Sequence, residues 1–403
     1  MPQQLGAFLK RPKEPVCLRA RQGVAGIAVL RPQVGVWIVL AAALALPLPA
    51  RSQADSPGSF DALVSAAAGA RDAQDFPKAI QLTEQALKLQ AGWVEGWWLL
   101  GSMQFNQNDF AGAEVALSRL LDLDPDSGPA RAMRGIAEYQ TGDFATALSD
   151  IQRAIALGAA NSAQNGMLLR YHEALLLTRN NRFEEALTDY GFFLKAGKSS
   201  DELRTAMGLA GLRVPLLPRE LGRGQQEMYE AAGRAIAAYQ AGDDAAARLQ
   251  FQDFFQRFPN VPWSHFLYGY LLYSADSAGA LREWRREVQV SPDNATANST
   301  LAWALLVKDQ PADALPFAQK AESLAAAKPM SQMILGRALA ETGDLDRGFA
   351  HLEEALKLDP DNLEVHFALA KADSLAGRNL DAQRERLYCL QAESTRSIAN
   401  AQP

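Results

Sequence analysis

Residues 329–362 read PMSQMILGRALAETGDLDRGFAHLEEALKLDPDN. With Pro329 as position 1, apolar or small residues stand at Leu335, Gly336, Leu339, Gly343, Gly348, Leu352 and Ala355, and Pro360 closes the stretch. On both sides of Gly343 the apolar residues recur three and four apart, the period of a helix with one buried face. Gly343 suits the left-handed residue that ends a helix, and Asp344 can cap the next helix through its carboxylate. Gly336 and Gly348 let two helices cross closely. Pro360 cannot continue the second helix, so the chain turns there. The stretch therefore predicts two short amphipathic helices joined by a tight turn.

The same pattern returns along most of the chain. Units start near residues 60, 94, 128, 167, 228, 262, 295, 329 and 363, about nine in all. The unit at 60 is alanine-rich and lacks the closing proline. The second, with Trp97, Leu100, Gly101, Asp109, Phe110 and Pro125, is close to the pattern of 329–362. Five residues are inserted around Asn161, and the unit at 262 is one residue short. Residues 201–227 break the period. DELRTAMGLA within them can form one more helix, but Arg213-Val-Pro-Leu-Leu-Pro218 is extended or turned. This segment reads as a linker packed on the repeats or as a hinge between two blocks, 60–200 and 228–393. The second helix of the last unit, DAQRERLYCL, is more charged and suits a polar end cap. Residues 394–403 read as a flexible tail.

Nine units with this internal spacing resemble the tetratricopeptide repeat (TPR), a 34-residue helix–turn–helix. The resemblance covers roughly residues 60–393 and implies an all-α, right-handed α–α superhelix. It also implies a concave wall lined by the first helix of each unit, with ligand contacts at positions 2, 5, 9, 12 and 13. On this sequence those positions give Trp98, Phe105, Tyr139, Tyr171, Tyr229, Tyr239, Trp263, Phe266, Tyr270, Tyr273, Trp303 and Phe367. Aromatic side chains offer large contact area for little lost freedom, and Tyr and Trp add a polar tip. TPR proteins that grip a terminal carboxylate cluster Lys, Asn and Arg on this wall. Here Arg71, Arg179, Arg337 and Lys371 are isolated, which argues against that mode.

The first 54 residues do not fit the repeat. Basic residues from Lys10 to Arg31 precede a charge-free run, Val34 to Leu46, broken by Pro47 and Pro49 and followed by Ser52-Gln53-Ala54. A basic region, a short apolar core and small residues at a cleavage site predict a secretory signal peptide over 1–54. The run is too short to cross a bilayer comfortably, which takes about 20 residues. The expected product is exported, to the periplasm or beyond, with no integral membrane span. An uncleaved leader would instead be an N-terminal anchor. Residues 1–54 carry seven Lys/Arg and one Glu, or +6. The whole chain is −6, so the remainder is −12. An acidic product without a basic stripe is a poor nucleic-acid binder.

The chain offers little chemistry. His172, His265, His351 and His366 form no metal-binding pair in sequence. His351 reads as a surface histidine. Cys389 is the one cysteine beyond the leader and reads as a packed thiol. No nucleophile elbow, phosphate-cradling loop or dinucleotide fingerprint is present. The expectation is no catalytic residue, no metal and no cofactor. The expected function is a non-enzymatic scaffold of the cell envelope, holding a protein or peptide in an aromatic groove. The alternative is a carbohydrate-binding or polysaccharide-export scaffold, since aromatic rings also stack on sugars.

Overall fold

The computed structural model describes residues 58–222 and 224–399. The leader, 1–54, and the end of the tail, 400–403, lie outside the described residues. Among those described there are nineteen α-helices, a short 3-10 turn and no strand. The chain divides after Phe193 into two compact units.

The first unit consists of four helix pairs. They are α1 (Phe60–Asp72) with α2 (Phe76–Leu89), α3 (Val94–Asn106) with α4 (Phe110–Leu123), α5 (Gly128–Thr141) with α6 (Phe144–Ala156), and α7 (Ala163–Arg179) with α8 (Phe183–Lys195). The second begins with an unpaired helix, α9 (Asp201–Gly211). Five pairs follow: α10 (Gln226–Gln240) with α11 (Asp244–Arg257), α12 (Ser264–Tyr273) with α13 (Ser277–Val290), α14 (Ala295–Val307) with α15 (Pro311–Ala325), α16 (Pro329–Glu341) with α17 (Leu345–Leu358), and α18 (Leu363–Leu375) with α19 (Asn379–Ala399). One apolar core runs unbroken from Ala235 on α10 to Ala372 on α18. Such continuity follows when each pair buries its face against its neighbours.

The turns inside the pairs explain why the helices stop and restart. Gly343 has φ +99°, and Asp344 accepts a hydrogen bond from Arg347 N–H at 3.3 Å. Gln74, Asn108, Gly142 and Gly242 are left-handed in the same way, each followed by a capping aspartate. In the unit that is one residue short, α12 ends a residue early, and no left-handed residue precedes Asp276, the cap of α13. The deletion thus falls after Tyr273, and Trp263, Phe266, Tyr270 and Tyr273 keep positions 2, 5, 9 and 12.

The loops between pairs are closed by a second device. The residue at position 4 of the unit sends a side-chain N–H back to a backbone carbonyl six residues earlier. Trp97 reaches Ala91 O at 2.8 Å, Arg131 reaches Pro125 O at 2.9 Å and His265 reaches Pro259 O at 3.3 Å. Asn298 reaches Pro292 O at 3.0 Å, Gln332 reaches Ala326 O at 2.9 Å and His366 reaches Pro360 O at 3.0 Å. Several of these side chains also bridge to the second helix of their pair: Arg131 to Asp150 at 3.1 Å, His265 to Glu283 at 2.7 Å and His366 to Glu385 at 2.6 Å. Gln332 meets His351 Nδ1 at 2.7 Å. His351 is therefore half-buried and engaged, not the surface histidine expected. Cys389 is half-buried, with Sγ 3.7 Å from Leu363 O.

Within 201–227, α9 lies against α10 with the backbones almost touching. A Cβ on Gly208 would stand 1.8 Å from Tyr229 O, and one on Gly233 1.7 Å from Arg204 O. Only glycine at both places permits this crossing. Residues 212–221 then turn across it, with Arg213 left-handed, Leu216 N–H bonded to Val214 O at 2.8 Å and a 3-10 turn at Pro218–Glu220. At the far end, α19 continues to Ala399, into the stretch expected to be a tail. Its outward face carries Leu380, Leu387 and Leu390, all exposed, so this end is less polar than its charge content suggested.

Candidate partner-binding surface

The aromatic residues singled out by position fall into two groups. In the first unit they serve mainly as packing. Trp98 and Phe105 are half-buried against the core of Leu117, Leu120 and Met133, and Phe105 meets Phe110 edge-on at 5.3 Å. Tyr139 is 6% exposed and packs on His172 at 5.0 Å and Phe144 at 6.1 Å. Tyr171 is half-buried, 6.0 Å from Phe193. Tyr139 is a core residue: the ring at position 12 fills the joint with its neighbouring helices and leaves no face for a ligand. Between α5 and α7 a small apolar pocket of about 30 Å³ is lined by Pro129, Ala132, Ile136 and Leu168.

The first unit also buries charge. Arg134 on α5 holds Asp150 on α6 at 2.5 and 2.9 Å and Ser118 on α4 at 3.1 Å. Glu138, 2% exposed, lies 3.4 Å from Arg134. Burial, then the neighbouring Asp150 charge, pushes the Glu138 carboxyl up to about 8 against the pull of Arg134. Burial and Glu173 raise Asp189 to about 6, opposed by Arg170.

In the second unit the rings join up. Trp263 meets Phe266 at 5.1 Å, Phe266 meets Tyr270 at 4.9 Å and Tyr270 meets Trp284 at 5.4 Å. Trp284 meets Tyr273 at 5.5 Å, and Tyr273 meets Trp303 at 5.9 Å. Trp263, Tyr270, Tyr273 and Trp303 are half-buried and keep surface, whereas Phe266 is 1% exposed and belongs to the core. Burial pushes the Tyr270 phenol up to about 12, while the nearby Arg213 charge pulls it down. Tyr239 packs on the same core outside this chain of rings, and Tyr229 is buried beside α9. Phe367 is 59% exposed.

Trp263 is held in an unusual way. Its φ is +69°, in the left-handed region that bulky side chains rarely enter. Glu287 on α13, fully buried, accepts its N–H at 2.7 Å and the Phe266 N–H at 3.2 Å. A carboxylate thus caps the start of α12 and fixes the strained residue. The Arg213 guanidinium lies 4.5 Å from the centre of the Trp263 ring.

Two residues that support this surface were missed from sequence, Arg213 and the buried Trp284. Trp284 stands where Leu352 packs on Gly336 in the unit at 329. Gly269 makes its room, since a Cβ there would be 2.3 Å from the indole nitrogen. That pairing of a glycine with an oversized partner was a readable signal. Arg213 had none, because its contact joins residues fifty positions apart.

Among the described residues no group of histidine, cysteine and carboxylate side chains could hold a metal, and no helix is long and apolar enough to cross a membrane. Family models described as tetratricopeptide repeat match residues 65–128, 104–165, 132–191 and 329–372. A comparison with curated proteins finds no match. Among solved structures, MamA from Desulfovibrio magneticus RS-1 is 18% identical with TM-score 0.38, covering 42% of this chain and 96% of that one. PilW, described as a widely conserved type IV pilus biogenesis factor, is 18% identical with TM-score 0.35, covering 42% and 78%. A tetratricopeptide repeat protein from Parabacteroides merdae is 12% identical with TM-score 0.32, covering 78% and 99%. Paired helices at a 34-residue spacing, with family matches in both units, make this chain a member of the tetratricopeptide-repeat family.

Proposed function

We propose that the chain is a non-enzymatic scaffold of the bacterial cell envelope that holds a partner protein against the helix faces of its second unit. The observation that carries this reading is the run of touching rings from Trp263 to Trp303. Aromatic anchors supply most of the affinity in surfaces of this kind, and polar groups set register. The envelope location rests on the leader-like composition of 1–54. The test is affinity capture from envelope fractions with the full chain and with a Tyr273→Ala/Trp303→Ala variant. The expected result is a partner retained by the parent and lost by the variant. Equal recovery by both would remove the aromatic surface from the account.

A carbohydrate-handling role is the second reading, favoured by an open cleft on the second unit. The cleft, of about 600 Å³, is lined by Phe255, Asn260, His265, Arg286 and Gln289. A ring edged by carboxamides and a guanidinium suits sugar hydroxyls. Titration with envelope polysaccharides, followed by tryptophan fluorescence, tests it. No response to any glycan rejects it.

A further inference from the structure

Residues 212–221, LRVPLLPREL, lie on the aromatic surface of the second unit as a bound peptide would. The segment is anchored by Leu212, 3% exposed, and Leu217, fully buried. Between and beyond these, Val214, Leu216 and Leu221 pack against the cluster of Leu209, Tyr229 and Phe254. Arg213 places its guanidinium over the Trp263 ring, and its own backbone is left-handed at φ +56°. Two residues in left-handed geometry therefore meet face to face across this contact. One is fixed from behind by the buried Glu287. Pro215 and Pro218 fix two backbone angles of the segment, which lowers the entropy lost when it is seated.

We propose that this segment is an intramolecular occupant of a peptide-binding surface centred on Trp263. The partner it stands in for is a turned protein segment with arginine followed by aliphatic residues and prolines. The proposal rests on the scaffold reading and deepens it: the partner must displace the strap to reach the ring. Displacement lowers the partner's apparent affinity in proportion to the fraction of molecules with the strap unseated.

The test uses the full chain and a labelled synthetic peptide, LRVPLLPREL. In an Arg213→Ala/Val214→Ser/Leu216→Ser variant the strap is weakened while its buried anchors stay. This variant should bind the peptide at least about tenfold tighter than the parent. Adding Trp263→Ala should abolish the gain. Equal binding by parent and strap variant, with helix content unchanged by circular dichroism, overturns the proposal. So does binding that survives Trp263→Ala. If the strap variant does not fold, hydrogen exchange on the parent decides. Saturating peptide should speed exchange across 212–221, and the same peptide with alanine in place of its first arginine should not. No change in exchange overturns the proposal. Partner capture that depends on Tyr273 and Trp303 but not on the strap would leave the scaffold reading standing while ending this one.

Discussion

Glu138 shows what a single buried side chain does to this solenoid. Its carboxyl titrates near 8 in the fold against 4.5 for the unperturbed group, because burial and Asp150 oppose its charge. The folded state holds the proton more tightly than the unfolded chain. The stabilisation this gives is full below about pH 4.5 and is lost as the pH rises through about 8. A Glu138→Gln variant should lose this slope. At pH 9 it should exceed the parent by roughly 2 kcal/mol, and near pH 4 the two should converge, as urea melts at both pH values would reveal. Equal slopes for parent and variant would show that Arg134 already satisfies the ionised form. Substitution of Glu287 should destabilise the fold. Its carboxylate accepts from two backbone N–H groups, so Glu287→Ala should cost about 3 kcal/mol and free Trp263 from its left-handed geometry, read by a shift in tryptophan emission.

At the scale of the helix, α9 is held by a backbone crossing and not by its sequence pattern. Gly208→Ala should cost more than about 3 kcal/mol, since the new methyl group would meet Tyr229 O within bonding distance. Gly142→Ala is the control. It has open space around it and only a strained φ of +97°, so it should cost about 1 kcal/mol. Comparable melting points for the two would mean that α10 shifts to make room. The sequence allowed a helix at DELRTAMGLA but not this role, because nothing local says that two glycines 25 residues apart will face each other. The pairs themselves were legible. The 34-residue spacing, the capping aspartates and the small residues at the crossings each repeat in register, and each acts over a few residues.

On the scale of the whole chain, the reading of the aromatic positions was less secure for a physical reason. The ring at Tyr139 and the ring at Tyr273 occupy the same place in their units, yet one is sealed and the other keeps surface. What decides is the residue that the next helix brings against them, and no single unit contains that information. The loop-closing bonds were invisible for a related reason. Trp97, Arg131, His265, Asn298, Gln332 and His366 are five different residue types that share only an N–H group at the right reach. The joint between units is therefore a standard fitting into which dissimilar parts plug. If the unit at 329–362 is removed, Leu363 follows Lys328, and His366 comes to lie six residues after Ala326, whose carbonyl Gln332 now uses. The shortened protein should refold with one helix pair fewer by circular dichroism and still unfold cooperatively. A chain built on such couplings can be lengthened or shortened by whole units, each new neighbour finding its connection already made.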